Sequence, residues 1–137
     1  MTIAEDSPNV SEIELPISRC TVVITERGAR QTLELLGPDG ELIGVVSDST
    51  LDPSVIRSAY RGGTASASWA LAAGRSVKSP VKATFAASRS RRDLRRIEVT
   101  ASECGGFWVA EAAITAHWVS VTVDGEENGS SSLQPIS

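Results

Sequence analysis

Turn residues cut this chain into short apolar runs, and that punctuation limits its fold more than any other feature. The clearest case is Gly37-Pro38-Asp39-Gly40, which stands between Arg30–Leu36 and Glu41–Ser47. Proline presets one turn dihedral, aspartate closes a local hydrogen bond, and glycine accepts a positive φ. The runs on either side read as paired strands. Upstream, Cys20–Glu26 is rich in Thr, Val and Ile, and Arg27-Gly28 turns it back toward Arg30. These are β-favouring residues.

The same grammar continues toward the C-terminus. Thr64–Ala73 suits either element, because alanine and leucine favour helix while its Ser/Thr content and flanking turns favour strand. We read it as a strand. Pro80–Ala87 alternates, with Val81, Ala83, Phe85 and Ala87 on one side. Leu94–Ala101 alternates with Ile97, Val99 and Ala101 inward. Together they predict a hairpin whose tip is the polar stretch Ser88–Asp93. Cys104-Gly105-Gly106 reads as a turn, followed by strands at Phe107–Ala112 and Ala116–Val123, the latter ended by Asp124-Gly125. One helix is expected near 53–60. Asp52-Pro53 is a capped helix start, Val55, Ile56 and Ala59 share a face, and Gly62-Gly63 supplies the stop. About seven or eight short strands at such spacing predict an all-β, mostly antiparallel fold, a sandwich or a partly closed barrel.

The chain has 137 residues, which suits one domain. We expect a flexible acidic segment over 1–18, a single β domain over 19–125, and a disordered tail over 126–137, where Glu, Asn, Gly and Ser dominate. The acidic start lacks the pattern of a secretory leader, and no apolar run is long enough to span a membrane. The expected location is the cytoplasm. Two cysteines, Cys20 and Cys104, and one histidine, His117, do not compose a zinc site. The cysteines are expected as reduced thiols rather than a disulfide. The order Cys20…Trp69…Cys104 does not fit an immunoglobulin pin. The first gap is too long, and Ser102 occupies the place of the corner tyrosine.

Charge is strongly segregated. Residues 57–96 hold ten bases and one acid, a net of +9, between flanks of −7 over 1–56 and −6 over 97–137. Placed on the expected elements, the bases spread out. What remains is a cationic tip formed by Arg89, Arg91, Arg92, Arg95 and Arg96. Guanidinium groups bind phosphates and carboxylates through paired hydrogen bonds, so this tip is the candidate anion- or partner-binding site. The bland alternative is a solvated loop balanced by neighbouring acids. The whole-chain charge of −4 argues against a protein that coats nucleic acid.

Trp69, Trp108 and Trp118 form the second constellation, as interface candidates. Phe107 and Trp108 are adjacent on one strand, as are His117 and Trp118, so each pair must point to opposite faces. One aromatic of each pair is then outward unless a second layer covers it. Glu111, on the same strand as Trp108, could face it. His117 lacks any accompanying hydrolase, zinc-protease or phosphate-loop motif, so no catalytic residue, metal or cofactor is assigned. The reading is a non-enzymatic binding or protein-interaction module. Its partner is an unknown protein or a second copy, reached through an edge strand or a tryptophan face. The alternative is an anion- or nucleic-acid-binding protein using the tip 89–96, and a small enzyme without a recognisable motif ranks third. No membrane partner is expected.

Overall fold

The computed structural model describes residues 9–49, 51, 54–64, 66–88 and 95–136. They form an all-β structure of three sheets, antiparallel but for one short pair. The front sheet is a meander of β1 (Asn9–Glu14), β2 (Thr21–Arg27), β3 (Arg30–Leu36) and β4 (Leu42–Ser47). The remaining strands are β5 (Ser58–Thr64), β6 (Ala67–Arg75), β7 (Val81–Ala86), β8 (Arg96–Thr100), β9 (Ser102–Cys104), β10 (Phe107–Ala112), β11 (Trp118–Val123), β12 (Glu126–Ser132) and β13 (Gln134–Pro135). The middle sheet has the order β13-β5-β6-β10-β9, and the back sheet the order β12-β11-β7-β8. No sheet closes into a barrel.

The middle sheet is covered on both faces. Trp69, Leu71 and Ala73 of β6, with Phe107 and Val109 of β10, join Val22, Ile24, Leu33, Leu35 and Val46 in a front core. Ala70 and Ala72, with Trp108, Ala110 and Ala112, join Val81, Ala83, Phe85, Val119 and Val121 in a back core. Strand periodicity sends alternate residues into different cores. This explains why six consecutive residues of β6, Trp69 to Gly74, are all buried. A strand buried on both faces shows no hydrophobic alternation, which is why 64–73 is ambiguous as sequence.

The expected hairpins at 20–47 form, with registers Val22↔Leu35 and Leu33↔Val46. So does the hairpin of β7 and β8, where Phe85 pairs with Ile97. Three expectations need correction. No helix occupies the described part of 53–60, since Ser58, Ala59 and Tyr60 pair with Ala73, Ala72 and Leu71. Pairing to a central strand satisfies this backbone and buries Ala59, and it overrides a helical signal carried by only three apolar residues. Pro53 lies outside the described residues. Second, the expected disordered tail includes β12 and β13. Asp124 and Gly125 both have positive φ, 54° and 80°, and Val123 pairs with Glu126. That is a two-residue hairpin turn of the type Asp-Gly favours, and it folds a polar segment back onto β11. Third, residues 9–14 of the expected flexible N-terminus form β1, in register with β2 from Asn9↔Glu26 to Glu14↔Thr21.

Three polar contacts fasten the front sheet to the middle one. The Glu111 carboxylate accepts hydrogen bonds from the backbone N–H groups of Ile17 and Ser18, both at 2.8 Å. Gln31 Oε1 accepts one from Gly106 N–H at 2.8 Å, and Arg57 Nη1 donates to the Ser47 carbonyl at 2.8 Å. Glu111 therefore serves the front core. It does not face Trp108, because a separation of three residues puts the two on opposite sides of β10.

Candidate functional site

The three tryptophans have three different fates. Trp69 is buried in the front core at 4 % exposure, and Trp108 in the back core at 0 %. Trp108 presents no surface and Trp69 only a small part of its ring, so both interface assignments give way to core packing. The second layer that would cover an outward Trp108 is the back sheet. Its indole Nε1 is buried with no hydrogen-bond partner among the described residues, and the ring packs within the back core. Trp118 is half-buried and lies on the outer face of the back sheet.

Register defines that outer face. Ser132, Trp118, Ala86 and Arg96 lie in one row across β12, β11, β7 and β8. The next row is Ser130, Ser120, Thr84 and Glu98, and the third is Glu127, Thr122, Lys82 and Thr100. Their inward neighbours Val119, Val121, Ala83 and Phe85 fill the back core, and this fixes which side chains face out. The result is a hydroxyl-rich sheet surface with one aromatic. Lys82 Nζ and Glu98 Oε1 are 3.9 Å apart on it. Trp118 and Arg96 flank the small side chain of Ala86, and together with Ser120, Thr84 and Thr122 they line one shallow hollow of about 220 Å³.

The arginine candidates divide. Arg96 lines the hollow at the start of β8 and Arg95 precedes it in the chain; both are exposed and both make contacts within the fold. Arg89, Arg91 and Arg92 lie outside the described residues. Of the other described bases of 57–96, Lys82 shares this face, and Arg57, Arg61 and Arg75 do not. Arg57 reaches the front sheet, Arg61 lies at the edge of the middle sheet on β5, and Arg75 ends β6. The structure thus brings together one member of each sequence constellation, Trp118 and Arg96. The hydroxyl residues Ser120 and Thr122 share the strand alternation of Trp118 and so join it on this face.

His117 is exposed. Its backbone bridges β7 and the C-terminal segment, with N–H donating to Ala86 and C=O accepting from Leu133, both at 3.0 Å. Cys20 and Cys104 are free thiols, both buried in the front core. Burial raises the pKa of each. For Cys20 a hydrogen bond from Ser18 opposes the rise, while the nearby charges of Glu111 and Glu41 add to it. For Cys104 the Glu103 charge adds to it. Buried thiols held neutral are poor nucleophiles. Among the described residues, no group of three or more His, Cys, Asp or Glu could hold a metal ion. No helix among them is long and apolar enough to cross a membrane. Comparison with known proteins finds no matching family model, no matching curated protein and no matching solved structure.

Proposed function

We propose that this protein is a non-enzymatic interaction module whose contact surface is the outer face of the back sheet, with Trp118 as anchor and Arg95 and Arg96 at its rim. The partner is another protein or a second copy of the chain. The observation that carries this reading is the meeting of Trp118 and Arg96 in one shallow hollow on an otherwise hydroxyl-rich face. Tryptophan and arginine are the residue types most enriched at binding hot spots, and a rigid polar rim around an aromatic excludes water from the contact. A photo-crosslinking residue placed at Ser120 tests this directly. It should give a discrete adduct, with a partner or with a second copy, that disappears when Trp118→Ala is added. The same probe at Thr32, on the outer face of the front sheet, should give none. Equal labelling from both positions, or an adduct indifferent to Trp118→Ala, would reject the assignment.

A second reading draws on the same observation. An aromatic beside arginines also suits a single-stranded nucleic acid, whose bases stack while its phosphates meet guanidinium groups. On this reading a labelled oligonucleotide is retained at low ionic strength, and retention falls steeply as salt rises. The absence of retention at low salt would end it.

A further inference from the structure

The outer edge of β5 holds a short segment of the chain itself. Gln134 and Pro135 pair parallel to Tyr60 and Arg61, and the Ile136 N–H donates to the Arg61 carbonyl at 3.0 Å. Two apolar side chains anchor the segment from opposite sides. Leu133 is buried in the back core, and Ile136 packs against the front core. Gly62 makes room for the second anchor. A Cβ there would stand 2.9 Å from Ile136 Cγ1 and 2.5 Å from Trp69 Cζ2.

This occupant leaves much of the edge open. β5 continues through Gly62, Gly63 and Thr64, which pair with β6 on one side, and among the described residues no second strand pairs with that stretch on the other. Beside it lies a hollow of about 260 Å³, whose lining includes Arg61, Thr64, Trp69 and Ile114 together with Ile136. Arg61 Nε is buried there with no hydrogen-bond partner among the described residues. An open strand edge offers main-chain hydrogen bonds to an added strand, and side-chain sites beside it select the sequence.

We propose that the β5 edge is a strand-accepting groove for an extended segment of a partner protein. That segment carries Leu and Ile, or similar aliphatic residues, three positions apart, followed by a carboxylate that meets Arg61 in the hollow. Residues 133–136 of this chain occupy part of the groove in cis and compete with the incoming strand. The site is separate from the Trp118 face, so either can fail without the other.

The test uses the full chain and a fluorescein-labelled peptide, SSLQPIE, which carries the chain's own anchor pattern with a terminal acidic residue. A cis occupant weakens apparent affinity by the fraction of time it holds the groove, so releasing it with Ile136→Asp should tighten peptide binding about tenfold over wild type. Ile136→Ser, a milder change, should move affinity in the same direction. Adding Gly62→Val, which fills the Ile136 site, should abolish binding. The control peptide SSDQPDE should not bind, and Arg61→Gln should remove the preference for SSLQPIE over SSLQPIQ. Folding of each variant is followed by circular dichroism. If folded Ile136→Asp or Ile136→Ser chains bind SSLQPIE no better than wild type or no better than the control peptide, the groove is overturned. If they bind SSLQPIE and SSLQPIQ equally, the assignment of Arg61 is overturned.

Discussion

The two cores on either side of the middle sheet are built by different means. The front core uses large aliphatic side chains, Val22, Ile24, Leu33, Leu35 and Val46, against Trp69, Leu71 and Phe107, and it is fastened by Glu111, Gln31 and Arg57. The back core sets Trp108 and Phe85 among alanines, with Ala59, Ala70, Ala72, Ala83, Ala110, Ala112 and Ala116 all contributing. Small side chains leave little slack around two large rings. The back core should therefore respond to changes of volume, and the front core to loss of polar partners as well.

The largest expected effect is on the back core. Trp108→Ala removes its biggest side chain from a site with no exposure and should cost about 3–5 kcal/mol in chemical unfolding. A loss well below that would mean the back sheet is loosely docked. Ala72→Leu, directed into the same core, should cost about 1–3 kcal/mol through overpacking. Glu111→Ala should also cost about 1–3 kcal/mol, by stranding the part-buried Ser18 N–H while the exposed Ile17 N–H turns to water, and it should raise amide exchange at those two positions specifically. If exchange rises instead across the back sheet, the division of the two cores fails.

The thiols supply a pH test of the front core. Both folded pKa values lie above the ordinary thiol value of 9.0. Above that pH the unfolded state gives up protons that the folded state keeps, so the stability contributed at lower pH is lost as pH rises through the folded values. The decline above pH 9.0 should flatten in a chain carrying Cys20→Ala and Cys104→Ala, and a decline of unchanged slope would rule out this cause. The smallest effect belongs to Trp118→Ala, which should cost about 1 kcal/mol, because the indole is half-buried, while removing crosslinking from Ser120.

How much of this was legible in the sequence depended on whether a strand had one covered face or two. The front-sheet hairpins and β7–β8 alternate plainly because one face meets solvent. β6 and β10 do not alternate, and nothing local in Trp69–Gly74 or Phe107–Ala110 says that a second layer lies beyond. For that reason Trp69 and Trp108 read as candidate contacts although both are core. β12 was missed for another reason. Composition suggests disorder, yet Asp124-Gly125 is itself a hairpin signal. The short Val55, Ile56 and Ala59 pattern was misleading because a neighbouring central strand claimed the backbone of Ser58–Tyr60. Of the site, the sequence named Trp118 and Arg96 separately. Their meeting depends on register across β11, β7 and β8, and local sequence does not encode it.

The sorting of the tryptophans joins the fold to the proposed contact surface, and iodide quenching of their fluorescence tests it most directly. Trp69 and Trp108 lie in two separate cores and Trp118 lies at the surface, so in the native protein quenching should come from a single emitter and vanish in Trp118→Phe. A Trp118→Phe chain that is folded and still quenched by iodide would mean that Trp69 or Trp108 reaches solvent, and it would contradict the three-layer arrangement.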